Sequence, residues 1–334
     1  MGNLVGMERT AAATPDFREL EQHRRALTAY CYRMLGSPFE AEDAVQETLL
    51  RGWRSLDRFE GRSALRSWLY RIATNVCFDM LNSRKRRALP IDLGPAGSAD
   101  GPVGEVRDAV EWIEPVPDGR VLPDGDPAEV VEARETIRLA FVAALQQLPP
   151  RQRAALILCE VLRWKASEAA ELLGTSTVSV NSALQRARAT LDASGAAPEA
   201  TEAAASLEGP DHALLARYVE AFEAYDMDAL AALIKEDAEQ SMPPYELWLR
   251  GREEIFRWWL GPGARCRGSR VVPAAGANGA PAFAQYRRSE RGSGYDAWAL
   301  QVLDLADGRI AGFTFFLDVE AVFPLFDLPL RLDD

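Results

Sequence analysis

A proline-rich acidic segment in the first half of the chain constrains the fold more than any other feature of the sequence. Residues 88–130 contain ten acidic and two basic side chains and seven of the 20 prolines. These prolines stand at positions 90, 95, 102, 115, 117, 123 and 127. Proline removes a backbone hydrogen-bond donor, and a segment so rich in charge cannot form a core of its own. The sequence therefore predicts an acidic linker over residues 89–128 that separates independent domains.

Helical patterns flank this linker on both sides. Apolar residues recur at steps of three and four in residues 20–87 and again in residues 127–191. An Ala/Gly/Glu-rich stretch then leads to two amphipathic helices, at residues 213–225 and 228–234. Strand-like runs follow at residues 281–287, 296–305 and 310–317.

We therefore expect a multidomain protein with two all-α domains followed by an α+β domain. The predicted segments are a helical bundle (17–88), the acidic linker (89–128), a helix-turn-helix domain (129–192), a short linker (193–210) and the α+β domain (211–330).

Composition excludes several kinds of functional site. The cysteines are far apart in sequence, at Cys31, Cys77, Cys159 and Cys266, and the two histidines are His23 and His212. This argues against disulfide scaffolds, Cys/His zinc sites and His-based catalytic triads, so no metal and no cofactor are expected. Apolar runs fall far short of the ~20 residues that span a bilayer, and the N-terminus lacks a signal pattern. We expect a cytoplasmic protein with no membrane partner.

Taken for the whole chain, the net charge of −12 argues against nucleic acid as a partner, because phosphate contacts need cations. Counted by segment, however, the charge is +4 for residues 1–87, −8 for 88–130, +2 for 131–192 and −10 for 193–334. The acidic excess therefore belongs to the linker and the last domain, and both helical blocks remain candidates for nucleic-acid binding.

The first helical block begins with a capping signal, Ser37-Pro38-Phe39-Glu40. Periodicity places one set of residues on the buried face of the following helix: Ala41, Ala44, Val45, Thr48, Leu49 and Trp53. Glu40, Asp43, Gln46 and Glu47 lie away from that face. By pattern alone, such carboxylates are typical of a solvated helix face.

A second helix, predicted over residues 67–82, carries the apolar stripe Trp68, Leu69, Ile72, Val76 and Met80. The residues off this stripe are Tyr70, Arg71, Thr74, Asn75 and Phe78, and a basic run, Arg84-Lys85-Arg86-Arg87, follows. Aromatic rings beside arginines suit single-stranded bases, because bases stack on the rings while cations follow the phosphates. Ordinary core packing is the alternative.

Residues 41–87, AEDAVQETLLRGWRSLDRFEGRSALRSWLYRIATNVCFDMLNSRKRR, closely resemble region 2 of extracytoplasmic-function (ECF) sigma factors. The resemblance implies that Asp43, Gln46 and Glu47 dock on the β′ clamp helices of RNA polymerase core. It also implies contacts with the promoter −10 element, which it assigns to Phe59, Arg62, Ser63, Arg66, Tyr70, Arg71, Asn75 and Phe78.

The second helical block has the spacing of a helix-turn-helix. Residues 168–173 form a short helix that Ser167 would cap, Gly174 ends it, and a second helix starts at Val178. Its inward-facing residues would be Val180, Leu184, Ala187 and Leu191. The outer residues would meet DNA in the major groove: Ser179, Asn181, Ser182 and Gln185 at bases, with Arg186 and Arg188 at phosphates.

Residues 145–174, LQQLPPRQRAALILCEVLRWKASEAAELLG, together with this motif resemble sigma region 4. The resemblance implies recognition of the promoter −35 element and, for the whole chain, binding to RNA polymerase core through the β′ clamp helices and the β flap. The second helical block would then contact the −35 element, and the first helical block would contact the −10 element.

Residues 211–330 resemble the SnoaL-like branch of the nuclear transport factor 2-like fold, a curved sheet with helices over a cone-shaped pocket. The resemblance rests on LLARYVEAFEAYDMDALAALI, a segment with Met242-Pro243-Pro244, the GREEI helix start and the strand order. The linker sequence WIEPVPD also resembles a motif of sigma factors with such an extension, in which the extension modulates the factor in cis.

Relatives of this fold include isomerases with an aspartate base, for which Asp226 and Asp318 would be the candidates. Core aromatics and helix-end or surface aspartates are the alternative. The predicted pocket residues are Tyr225, Trp248, Trp259, Tyr286 and Trp298, which would surround an unidentified small ligand.

The combined prediction is a sigma factor without catalytic residues that directs promoter recognition and is modulated by its C-terminal domain. The alternatives are a helix-turn-helix regulator with a ligand-binding domain and an isomerase-like enzyme with a DNA-binding appendage. Neither alternative needs the region 2 pattern.

Overall fold

The computed structural model describes residues 17–56, 59, 64–82, 86–194 and 210–334. The first helical block forms α1 (Phe17–Glu21), α2 (Arg24–Leu35), α3 (Pro38–Ser55) and α4 (Leu65–Leu81). Helix α2 ends at Gly36, which has a φ of 75° that glycine adopts without strain. The Ser37 side chain then accepts a hydrogen bond from the Glu40 backbone nitrogen at 3.4 Å, so the predicted cap is confirmed.

The second helical block contains α6 (Pro127–Glu135), α7 (Leu139–Gln146), α8 (Pro150–Leu156), α9 (Ala166–Leu173) and α10 (Thr177–Ser194), and the linker holds the short helix α5 (Asp118–Val121). A π-helical turn, Ile157–Val161, continues α8. Gly174 ends α9 in the left-handed conformation, as predicted. The predicted cap at Ser167 is wrong, because α9 begins at Ala166 and the Glu168 carboxylate accepts from the Lys165 backbone nitrogen at 2.8 Å.

The C-terminal domain opens with α11 (Pro210–Ala224) and α12 (Met227–Leu233), and α13 (Arg252–Leu260) and α14 (Val319–Leu325) follow later. Its strands are β1 (Ile234–Ser241), β2 (Trp248–Arg250), β3 (Arg270–Pro273), β4 (Ala282–Arg288), β5 (Tyr295–Ala306), β6 (Arg309–Phe316) and β7 (Arg331–Leu332). They form one sheet of order β2-β1-β6-β5-β4-β3, with β7 beside β5 and only the β1–β6 pair parallel. Sequence patterns indicated β4 to β6 but missed β1 to β3 and β7, which are short or mostly polar.

The acidic linker is folded against the first helical domain and the C-terminal domain. Trp112, Ile113 and Val116 are buried, and the Ile113 backbone nitrogen donates to the Ala88 carbonyl at 3.1 Å. Earlier in the linker, Val103 accepts from the Leu247 nitrogen of the C-terminal domain at 3.2 Å. The linker thus gains from other domains the apolar partners that its own sequence lacks.

One apolar core runs through all three domains. It includes Leu27 of α2, Ile113 of the linker, Ile137 beside α7 and Ala277 in the turn between β3 and β4. A second core, which includes Phe222 and Trp259, lies between the sheet and the helices of the C-terminal domain. None of the helices in the described part of the chain combines the length and apolar character needed to cross a membrane.

Candidate nucleic-acid interface and interdomain contacts

The outer face of α3 is a mixed acidic and apolar surface. Asp43 and Gln46 are exposed, and Glu47 is half-exposed and accepts from Arg51 Nε at 2.6 Å. Leu50 and Trp53 on the same helix are 47% and 51% exposed. The prediction that Trp53 lies on the buried face is therefore wrong. An accessible helix face that combines carboxylates with large apolar side chains is suited to docking on another protein.

Tyr70 does not lie on the accessible surface of α4, which corrects the sequence prediction. Its side chain is fully buried, with its ring 5.1 Å from the Tyr30 ring and 5.4 Å from the Trp164 ring. Thr74 is also buried and forms a 2.7 Å hydroxyl–hydroxyl hydrogen bond with Tyr30. The buried surface of α4 is wider than the predicted apolar stripe. One side of α4 packs on the other helices of the first block, and another side packs on the second block.

Three further −10 candidates on α4 contact the second helical block. The Arg66 guanidinium lies 5.8 Å from the Trp164 ring centre, and Arg71 forms an ion pair with Glu171 of α9 at 3.3 Å. Phe78 lies beneath the Arg151 guanidinium at 5.8 Å. We call the surface formed by Arg66, Tyr70, Arg71 and Phe78 the covered face of α4.

The other −10 candidates lie apart from the covered face. Asn75 is exposed at the edge of a shallow groove that Arg51, Arg54 and Trp68 also line. The Phe59 ring lies 5.2 Å from the Trp68 ring. Arg62 and Ser63 lie outside the described residues.

Helix α10 presents its predicted outer residues to solvent. Ser179, Asn181, Gln185, Arg186 and Arg188 are exposed, and Ser182 is half-buried. The predicted inner residues Val180, Leu184, Ala187 and Leu191 are buried, which is confirmed. Arg188 forms an ion pair with Glu160.

Two polar residues at the start of α10 form hydrogen bonds with each other. The Ser176 hydroxyl accepts from the Ser179 backbone nitrogen at 3.2 Å and hydrogen-bonds to its hydroxyl at 2.9 Å. Helix α10 therefore begins at Thr177, one residue earlier than predicted, and Ser176 is its N-cap.

A cavity of about 780 Å³ lies between the sheet of the C-terminal domain and the linker. Of the predicted pocket residues, Tyr225, Trp259 and Trp298 line it. Trp248 and Tyr286 do not, which corrects the prediction. The Trp248 indole donates to the Gly94 carbonyl of the linker at 2.9 Å, and the Tyr286 hydroxyl donates to the Pro329 carbonyl at 3.0 Å.

Alternation along β4 explains the misplacement of Tyr286. Neighbouring residues of a strand face opposite sides of the sheet, so Gln285 and Arg287 line the cavity while Tyr286 packs against Phe323 of α14. Trp248 instead belongs to β2 at the edge of the sheet, where the linker crosses it.

The two aspartates considered as catalytic bases are helix caps. Asp226 accepts from the Ala229 nitrogen at 3.0 Å, and Asp318 accepts from the Ala321 nitrogen at 3.4 Å. Both are exposed. Burial raises the pKa of the cavity residue Tyr225 to about 12, so its hydroxyl stays protonated and donates to the Trp259 carbonyl. Among the described side chains, no cluster of His, Cys, Asp and Glu could hold a metal ion.

Asn278, at the tip of the β3–β4 hairpin, joins the three domains and was missed by sequence reasoning. Its Nδ2 donates to the Tyr32 hydroxyl and to the Ile137 carbonyl, both at 2.7 Å. Its Oδ1 accepts from the Val116 nitrogen of the linker at 3.0 Å. The residue is fully buried with a φ of 54°, and the Asn-Gly dipeptide is the sequence signal that could have indicated such a turn.

Arg87 fastens the linker to the first domain. It is 5% exposed and forms ion pairs with Glu40 at 2.7 Å and Glu114 at 3.3 Å. Glu40 is itself buried, so the prediction that it lies on a solvated face of α3 is wrong. It also donates to the carbonyls of Ala109 and Trp112. The sequence placed Arg87 in an open basic tail, which is wrong for this residue, because the linker folds back over it.

Comparison with known proteins gives the same three-part division. The Sigma-70 region 2 model matches residues 20–87, the Sigma-70 region 4 model matches residues 138–191, and the SnoaL-like domain model matches residues 215–313. The chain is 47% identical over 313 residues to the ECF RNA polymerase sigma factor SigG of Mycobacterium tuberculosis, an alignment that covers 92% of this chain and 82% of that protein.

A second relative has a known structure. The ECF RNA polymerase sigma factor SigJ of Mycobacterium tuberculosis is 29% identical over 252 residues, which cover 74% of this chain and 72% of that protein. The SigJ crystal structure matches with a TM-score of 0.61 at 23% identity, over 94% of this chain and 100% of that chain. The helical domains and the following sheet domain therefore share that fold. On the extent and identity of these matches, the chain belongs to the family of ECF RNA polymerase sigma factors and carries a SnoaL-like domain after its sigma regions.

Proposed function

We propose that the chain binds RNA polymerase core through the outer face of α3 and directs it to promoters in the cytoplasm. The observation that carries this assignment is the accessible combination of Asp43 and Gln46 with Leu50 and Trp53. Acidic residues steer the encounter with a basic partner, and the large apolar side chains supply the buried area. The β′ clamp helices are the partner for this face, and the β flap is the partner for the second helical domain.

The −35 element is assigned to α10. Its outer residues Ser179, Asn181, Ser182 and Gln185 would meet base edges, and Arg186 and Arg188 would meet phosphates. The firm burial of the opposite face of α10 supports this assignment, because a recognition helix needs a rigid base in its own domain.

The −10 element is assigned to α4 and the loop before it, through Phe59, Arg62, Ser63, Arg66, Arg71, Asn75 and Phe78. Tyr70 would join them only where Trp164 has moved away, because it is buried beneath that ring. We infer that the described arrangement is a closed form of the sigma factor, in which the second helical domain sits on the covered face of α4.

The C-terminal domain is proposed to regulate this opening in cis and to bind rather than catalyse. Asn278 bonds to the first domain, the linker and the segment before α7, so it favours the closed form. Asp226 does not line the cavity, and Asp318, which does, is exposed and caps α14, so this arrangement supports a domain that binds rather than catalyses.

Transcription with purified RNA polymerase core tests the proposal. The full chain and a variant lacking residues 205–334 are each added to core with a promoter library, and transcripts are mapped. We expect promoter-specific initiation from at least one of the two proteins. The absence of any promoter-specific transcript from both would overturn the assignment.

A further inference from the structure

The cavity of the C-terminal domain has walls from two parts of the chain. Phe222, Trp259 and Phe315 line it from the C-terminal domain, and Val103, Trp112 and Ile113 line it from the linker. Its volume of about 780 Å³ is within the range of sites for drug-sized ligands. The aromatic and aliphatic walls select an apolar molecule, and the flat ring faces favour one that contains rings.

One cation in this cavity has no carboxylate partner. Arg287 lies with its guanidinium 4.1 Å from the centre of the Trp298 ring, and its Nε donates to the Arg265 carbonyl at 3.1 Å. Within the described part of the chain no acidic side chain forms an ion pair with Arg287. Its terminal nitrogens are therefore available to an anion.

The other charged groups of the cavity are already engaged. Arg107 pairs with Glu246 and Arg265 pairs with Glu290. Glu114 pairs with Arg87, and the exposed Asp318 accepts the backbone hydrogen bond that caps α14. Asp318 keeps its negative charge but is exposed to solvent, so Arg287 is the cation that a ligand anion would neutralise.

Two uncharged groups add polar anchoring points. Gln240 is 2% exposed, and its Oε1 accepts from the Trp259 indole at 2.7 Å, which leaves its amide nitrogen as a donor toward a ligand. The indole nitrogen of Trp112 is buried with no partner among the described residues. A buried donor without an acceptor is costly, and an acceptor atom on a bound molecule would satisfy it.

We propose that the cavity binds a ring-containing organic anion, with its anionic group at Arg287 and its rings between the linker and the aromatic wall. The inference rests on the proposed regulation in cis and names the class of molecule that acts on it. Because the linker wall exists only when the linker is docked, ligand contacts with Trp112 and Ile113 stabilise the closed form. Binding therefore retains the second helical domain on the covered face of α4 and lowers transcription.

Two fluorescent probes test the ligand class on the full chain. The first is 8-anilino-1-naphthalenesulfonate, and the second is N-phenyl-1-naphthylamine, which has the same rings without the sulfonate. We expect saturable binding of both, with the sulfonate bound more tightly. Arg287→Met should weaken the sulfonate probe about tenfold or more, the range of a lost charge-assisted hydrogen bond, and leave the uncharged probe unchanged.

A matched control and a second readout complete the test. Arg309→Met removes an exposed arginine of the same domain outside the cavity and should change neither affinity. Saturating sulfonate probe should slow tryptic cleavage after Arg107 and Arg120 of the linker in the wild type but not in Arg287→Met. Failure of the sulfonate to bind, equal weakening of both probes by Arg287→Met, or faster linker cleavage would each overturn the proposal.

These outcomes are separable from the proposed function. Probe binding and linker cleavage are measured without polymerase, whereas promoter-specific transcription is measured without probe. A chain that initiates transcription but does not bind the sulfonate refutes the cavity proposal alone. A chain that binds the sulfonate at Arg287 but never initiates transcription refutes the sigma-factor mechanism alone.

Discussion

At the scale of single residues, Asn278 forms hydrogen bonds to the first domain, the linker and the segment before α7. Its side chain satisfies the Tyr32 hydroxyl, the Ile137 carbonyl and the Val116 nitrogen, all of which are buried around it. Asn278→Ala would remove the side-chain partner of the Ile137 carbonyl and of the Val116 nitrogen, at about 1–3 kcal/mol for each group that water does not reach. The Tyr32 hydroxyl would keep its hydrogen bond to the Glu114 carbonyl. We expect the variant to open the closed form and raise promoter output several-fold, measured by transcription with core polymerase.

The backbone of Asn278 calls for a specific control. Asp307 has the same φ of 54° in the turn between β5 and β6, but it is exposed and its carboxylate pairs with Lys235 of its own domain. Asp307→Ala introduces the same backbone strain without touching an interdomain contact. Output that rises equally in both variants would mean that strain, and not the lost hydrogen bonds, causes the effect.

Asp43 supports a second prediction at this scale. Asp43→Arg reverses an exposed charge on α3 and should abolish binding to RNA polymerase core while the circular dichroism spectrum stays unchanged. Glu220→Arg, an equally exposed reversal on α11, is the control and should bind core normally. If Asp43→Arg bound RNA polymerase core with wild-type affinity, the outer face of α3 would be an ordinary solvated surface and not a docking site.

At the scale of elements, the contact between α4 and α9 sets the balance between closed and open forms. Glu171→Arg would replace the ion pair with Arg71 by two neighbouring cations. Exposed ion pairs contribute about 0.2–1 kcal/mol, so we expect a gain in promoter output of about 1.4-fold to fivefold.

The matched variant for this contact is Glu132→Arg. It breaks an exposed ion pair with Arg163 that lies within the second helical block and leaves α4 alone. A gain in output from Glu132→Arg as large as that from Glu171→Arg would show that general loosening of the block, and not the α4 contact, is responsible.

Helix α10 supports a prediction about salt. Arg186 is exposed, and no ion pair engages it in the described part of the chain. If it contacts a phosphate, Arg186→Ala should reduce the slope of log affinity against log salt by about one unit and weaken binding similarly across promoter sequences. An unchanged slope, measured with the holoenzyme on a −35-containing duplex, would remove Arg186 from the DNA contacts.

At the scale of the whole molecule, the C-terminal domain completes the core of the other two. Deleting residues 205–334 would uncover Tyr32 and Ile137, which are fully buried. We expect promoter output per active molecule to rise, because the closed form loses Asn278, and solubility to fall, because apolar surface is exposed. Output per active molecule that stays the same, with the active fraction titrated by core binding, would leave the regulatory role without support.

Much of the local structure followed from the sequence. The cap at Ser37, the stop at Gly174 and the buried stripe of α10 were predicted from residues close together in the chain, and all three are present. The exposure of the site residues was harder to predict, because it depends on which distant parts of the chain pack against them. Arg62 and Ser63 lie outside the described residues, and the DNA and polymerase roles of the others remain predictions.

The sequence by itself determined where most helices lie, how the charge is divided and which family patterns the chain carries, because these depend on neighbours a few residues away. Only the tertiary structure decided that Tyr70 and Arg87 are buried, that Trp248 and Tyr286 lie outside the cavity, and that Asn278 joins three domains. The physical reason is sequence distance. Asn278 and Tyr32 are 246 residues apart, and no local pattern reports a hydrogen bond over that separation.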